Sequence, residues 1–143
     1  MARILVIDDD NQLRSLLRLA LEMAGHQVIE AVDGEQGLKA YQKHLPDLVL
    51  CDLLMDNKEG LETIRELRRR FAEEKIIAMS GGLYGGKVNF LSLAKTFGAA
   101  KVLTKPFDIK TLSAAIDEIL NDPIGASKDS LQNGDGVKSD RPS

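Results

Sequence analysis

Reactive side chains gather at the ends of short apolar runs. RILVID ends on Asp8 and is followed by Asp9 and Asp10, LVLCD ends on Asp52, KIIAMS ends on Ser80, and KVLT is followed by Lys105. Three carboxylates brought to one place repel one another unless a cation joins them, and a hard divalent ion with oxygen ligands is the natural partner. Mg²⁺ fits best, because it keeps several waters and combines one or two carboxylates with a phosphoryl oxygen. An ionised Asp beside such an ion is a competent nucleophile for in-line phosphoryl transfer, giving an acyl phosphate. A Lys ammonium and a Ser hydroxyl would take the other phosphoryl oxygens, and Lys105 and Ser80 match those needs.

Other chemistry is open to the same stretches. SGGLYGGKV fits G-x-x-x-x-G-K through Gly81, Gly86 and Lys87, but Val88 stands where a nucleotide-binding loop needs a hydroxyl for Mg²⁺. Asp8 and Asp10 form a D-x-D after the first apolar run, as in aspartate-nucleophile phosphatases of the haloacid dehalogenase type, with Gln12 in place of the Thr or Val expected there. Asp8, Asp9 and Asp10 also read as a solvated turn capping the helix that follows.

For these side chains to meet, the elements must converge. Five runs of strand length, RILVID, QVIEA, LVLCD, KIIAMS and KVLT, alternate with helical patterns. The first helix carries Leu13, Leu16, Leu17, Ala20 and Ala24 on one face and Arg14, Arg18 and Glu22 on the other, and stops at Gly25. The second runs from Gly34 to Lys43 behind Asp33 as N-cap; the third carries Leu61, Ile64, Leu67 and Phe71. The fourth runs from about Lys87 to Gly98, and Asp108 caps a fifth with Leu112, Ala115, Ile116 and Ile119 inward. The basic run RELRRRF reads as a solvated face, and His26 and His44 lie in exposed connections at the wrong edge. Strands of this kind alternating with helices predict an α/β fold, a doubly wound five-stranded parallel sheet with helices on both faces. In such a sheet the functional crevice lies beyond the carboxyl ends of the strands, where the reactive residues stand.

The 143 residues suit one domain, expected over 1–121. Residues 122–143 are rich in Gly, Ser, Asp and Pro and are expected to be a disordered tail without a DNA-reading domain. A net charge of -3 favours protein partners over nucleic acid or membrane, and MARILVID resembles neither a signal peptide nor a span, so the expected location is cytoplasmic. Cys51, the only cysteine, reads as a small buried side chain.

ILVIDDD, PDLVLCDLLM with Gly60, IIAMSGG and GAAKVLTKPF together resemble the receiver domain of two-component response regulators, over about residues 3 to 120. The resemblance implies the flavodoxin-like strand order 2-1-3-4-5. It implies Asp52 as phosphoacceptor, Asp8 and Asp9 as the metal-holding pair, the Leu54 backbone carbonyl as a further metal ligand, Ser80 as switch hydroxyl and Lys105 before Pro106, a bond that can be cis. The Gly-rich loop then becomes the segment between the fourth strand and the fourth helix that lets Ser80 move, not a nucleotide cradle. The phosphoryl donor would be a sensor histidine kinase or a histidine phosphotransfer protein, and the output a contact with an unnamed downstream protein, the surface of the fourth and fifth helices being the implied docking face. The expected protein is a stand-alone phosphoacceptor switch, not a turnover enzyme; the competing readings are the Asp8 phosphatase and a docking module indifferent to phosphorylation. Asp56 replaces a usual Pro, and Val102 replaces a usual Tyr or Phe, which removes coupling through an aromatic rotamer. Leu54 and Gly82 cannot hydrogen-bond the hydrolytic water, so slow self-dephosphorylation is expected.

Overall fold

The computed structural model describes residues 1–53, 59–73, 75–81 and 90–121, and of residues 59 and 90–93 the backbone alone. The expectations on Leu54, Asp56, Gly82, the start of the fourth helix and the tail lie outside the described residues.

Among the described residues ten elements alternate: β1 Arg3–Ile7, α1 Asn11–Met23, β2 Gln27–Ala31, α2 Gly34–His44, β3 Leu48–Asp52, α3 Glu59–Phe71, β4 Ile76–Gly81, α4 Phe90–Phe97, β5 Lys101–Lys105 and α5 Ile109–Asn121. The strands pair in parallel in the order β2-β1-β3-β4-β5, as the resemblance implied. Side chains alternate across each strand, so every strand feeds two cores. Ile4, Val6, Leu48, Leu50, Ile77, Met79 and Leu103 pack with Leu17, Leu21, Leu112 and Ile116 of α1 and α5. Leu5, Ile7, Val49, Cys51, Ile76 and Ala78 pack on the other face with Tyr41 of α2, Leu61, Ile64 and Leu67 of α3, and Ala94 of α4. A sheet covered on both faces needs strands without a polar side, and β3 is buried at all of its positions.

The helix boundaries follow local chemistry. Asp10 caps α1 by accepting from Gln12 N–H (3.0 Å) and Leu13 N–H (3.1 Å). Asp33 accepts from Gln36 N–H at 2.8 Å and Asp108 from Thr111 N–H at 2.8 Å. Gly25, at φ 96, takes the left-handed conformation that ends α1.

The expected face of α1 needs correction. Leu17 and Leu21 are its buried centre, while Leu16 is 61% exposed and Ala24 is exposed beyond the helix end. At about 100° per residue, Leu16 lies roughly 120° from that centre and Arg14 only roughly 40°. Arg14 therefore belongs to the inward flank, and its side chain is 12% exposed. Both histidines also differ from expectation: His44 is the last residue of α2, and His26 is half-buried with Nδ1 accepting from Ala2 N–H at 3.1 Å. In the basic run, Arg68 is half-buried and donates to the Glu73 carbonyl at 3.3 Å, while Arg65, Arg69 and Arg70 are exposed as expected.

Candidate functional site

The register of the sheet brings the reactive residues together. Ile7 pairs with Cys51, so Asp8 and Asp52, one position further on, emerge side by side at the point where the strand order reverses. Asp52 pairs with Met79, and Ser80 pairs with Thr104, so Ser80 and Lys105 come out at the same edge of the neighbouring strands. Among the described residues, one carboxylate oxygen from each of Asp8, Asp9 and Asp52 lies within 4.8 Å of the others. Asp8 is 0% exposed, Asp52 5% and Ser80 2%, whereas Asp9 faces solvent.

A single ammonium bridges the acids: Lys105 Nζ is 3.2 Å from Asp8 Oδ2 and 3.2 Å from Asp52 Oδ1. The Lys105–Pro106 peptide bond is cis. Burial pulls the Lys105 ammonium down in pKa, but Asp52 and Asp8 together outweigh it and hold the group above the ordinary Lys range. Asp8 is pushed above the ordinary Asp range, by burial first and by the Asp52 charge further; the Asp10 N–H and Lys105 only partly offset this. The Ser80 hydroxyl, buried beside them, makes a long contact to the Gly81 carbonyl at 3.4 Å.

Local backbone contacts hold the acid turn. Asp8 N–H donates to the Ala31 carbonyl of β2 at 3.1 Å, and Asp8 Oδ1 accepts from Asp10 N–H at 2.9 Å. Asp10 itself faces α1 as its cap, so the turn-capping reading holds for Asp10 and not for buried Asp8. Below Asp52, Gly60 brings the first turn of α3 so close that a Cβ there would collide with the Asp52 carbonyl oxygen and Leu53 Cα. Leu53 N–H donates to the Met79 carbonyl at 2.9 Å, which ties the end of β3 to β4. Cys51 is fully buried beneath this junction, as its apolar setting suggested. Val102 is half-buried and packs on the core that holds Ala94 and Ala99.

Among the described residues, three hard oxygen donors gather beside the Lys105 ammonium, and two of the three acids are shut off from solvent. That donor set suits a small divalent cation bound by carboxylates, and nothing in it favours a soft metal. One residue that the sequence reading placed on the solvent side also belongs here: the Arg14 guanidinium donates through Nη1 to the Asp8 carbonyl at 2.7 Å. Its angular position next to Leu17 was the available signal.

Comparison with known proteins gives the family. Residues 4–117 match the family model described as the response regulator receiver domain. The transcriptional regulatory protein CpxR of Escherichia coli K12 is 40% identical over 120 residues, covering 84% of this chain and 50% of that protein. The DNA-binding dual master transcriptional regulator RpaA of Synechocystis is 34% identical over 122 residues, 84% of this chain and 49% of RpaA. The chain thus spans about half the length of the curated relatives it matches. Among solved structures, a response regulator receiver domain protein from Clostridium thermocellum aligns with TM-score 0.77 at 28% identity, over 92% of this chain and 99% of that one. A CheY-like receiver domain protein from Methanospirillum hungatei JF-1 aligns with TM-score 0.77 at 25% identity, over 85% and 94%.

Proposed function

Since the chain belongs to the response regulator receiver domain family of two-component systems, whose members interact with histidine kinases or phosphotransfer proteins, we propose that it accepts a phosphoryl group on Asp52 and signals by protein contact. The observation that carries this is the buried meeting of Asp8, Asp52 and Lys105 beside Ser80 at the switch point of the sheet.

In this reading Asp8, Asp9 and Asp52, with the Leu54 carbonyl, would hold Mg²⁺, which would supply charge neutralisation for the phosphoryl transfer. An Asp52 carboxylate oxygen attacks phosphorus in line with the phosphohistidine P–N bond. The new O–P bond forms as P–N breaks, and the electron pair leaves on the imidazole nitrogen. Lys105 then exchanges carboxylate contacts for a phosphoryl oxygen, and Ser80 donates its hydroxyl to another. Both are already within the buried edge, so little ordering entropy remains to be lost. ATP need not enter the chain, and the net charge of -3 gives a nucleic acid no purchase.

Acetyl phosphate with Mg²⁺ tests the acceptor: the intact chain gains one hydroxylamine-labile phosphoryl group and Asp52→Asn gains none. Equal labelling of the Asn variant overturns the assignment. Multiple turnover of small phosphomonoesters, lost in Asp8→Asn, would instead favour the phosphatase reading. The proposal extends to residence in the cytoplasm. Among the described residues no helix is long and apolar enough to cross a membrane. Cell fractionation tests that location, and recovery of the protein in the membrane fraction would overturn it.

A further inference from the structure

Arg14 is held more tightly than a surface arginine of α1 has reason to be. Three of its donors reach three partners: Nη1 the Asp8 carbonyl at 2.7 Å, Nε the Glu30 carboxylate of β2 at 2.8 Å, and Nη2 the Asn11 side chain at 2.8 Å. Glu30 also accepts from Arg18 Nη1 at 2.7 Å, which leaves it anchored from both sides. Both backbone groups of Asp8 are therefore occupied, its N–H by Ala31 and its C=O by Arg14. The peptide plane that leads from Asp8 to Asp9 is fixed by the second of these bonds.

That plane sets where the two acids point. Asp8, Asp9 and Asp52 place like charges within 4.8 Å, and the exposed Asp9 turn is the part free to relax outward. We infer that Arg14 is a positioning residue: anchored by Glu30, it clamps the Asp8 carbonyl and keeps the β1–α1 turn closed, so that the acid pair is ready for a divalent cation. The inference rests on the reading that these acids hold Mg²⁺. Its action is geometric, because Glu30 and Glu22 together balance the Arg14 and Arg18 charges. A lysine could replace it only in part, since one ammonium lacks the planar fork that serves a carbonyl and a carboxylate together.

Arg18 supplies the control. It shares Glu30 but makes no contact with Asp8 among the bonds described. Titration calorimetry with MgCl₂ on the intact chain should show Mg²⁺ affinity about ten-fold weaker in Arg14→Met, the scale seen when groups that orient metal ligands are removed, and within about two-fold of wild type in Arg18→Met. In metal-free buffer, hydrogen exchange of the Asp10 amide, which is bonded to Asp8 Oδ1, should quicken in Arg14→Met alone. Unchanged affinity in Arg14→Met, or an equal loss in Arg18→Met, overturns the clamp while leaving the metal reading intact. Absence of Mg²⁺ uptake by the wild-type chain sinks the metal reading and the clamp with it. Should Arg14→Met not fold, Arg14→Lys carries the same criterion, with a loss between the two.

Discussion

Asp8 and Glu73 are both buried carboxylates, one beyond the carboxyl end of β1 and the other before the start of β4, at the opposite end of the sheet. Glu73 is matched by donors: the Tyr41 hydroxyl at 2.6 Å on one oxygen and Lys75 N–H at 2.6 Å on the other. Tyr41 stacks on Phe71 with ring centroids 4.6 Å apart, and burial first, then Glu73, raises its pKa above the ordinary Tyr value. Asp8 instead shares the Lys105 ammonium with Asp52 and stands among two other acids. The two sites teach that burial alone does not mark function. A buried acid with a donor on each oxygen is a brace, whereas buried acids crowded within reach of one another are suited to a ligand.

The largest test of that contrast is charge removal at each end. Asp8→Asn should cut Mg²⁺ affinity about ten-fold or more by calorimetry, yet raise the melting temperature in metal-free buffer, because the buried charge and its repulsion with Asp52 disappear. A fall in metal-free melting temperature would break the comparison. Glu73→Ala should do the reverse: a loss of about 1–3 kcal/mol in denaturant unfolding, from stranding the Tyr41 hydroxyl and Lys75 N–H, with Mg²⁺ affinity unchanged. Tyr41→Phe should cost less, about 1 kcal/mol.

The pH dependence sharpens the same point. The folded chain holds the Asp8 proton more tightly than the unfolded one, since its pKa is raised from 3.8. In metal-free buffer the Asp8 contribution is therefore most favourable below that value and declines as pH rises through the folded pKa. Glu30 has the opposite sign: the Arg18 hydrogen bond, ahead of opposing burial, and then Arg14 lower it from 4.5, so its contribution is present above that value and lost as pH falls. Subtracting the stability curves of Asp8→Asn and Glu30→Gln from wild type should give slopes of opposite sign. The smallest effect is the magnitude at Glu30, about 1 kcal/mol or less near neutral pH, as for partly exposed ion pairs.

Most of the fold was legible because its signals are local. Apolar runs of strand length, Gly25 as a stop, and Asp33 and Asp108 as caps each act within a few residues. The candidate acids were legible because they stand directly after those runs, and a parallel sheet aligns run ends. Arg14 was misplaced because hydrophobic patterning ranks residue types and not angular position: Leu16 was drawn into the stripe for being apolar, and Arg14 expelled for being charged. A long guanidinium side chain can line a buried flank while its head finds polar partners, and type alone does not reveal that.

By itself, the sequence determined the alternation of strands and helices and which side chains end each strand, since periodicities of two and 3.6 residues are properties of neighbouring positions. Tertiary structure decided which acids lose their water, which one Lys105 touches 97 positions away, and that Arg14 grips a carbonyl while Glu73 finds Tyr41. Those outcomes depend on separate segments sharing one low-dielectric space, and desolvation and charge pairing have no value until the chain has closed around them.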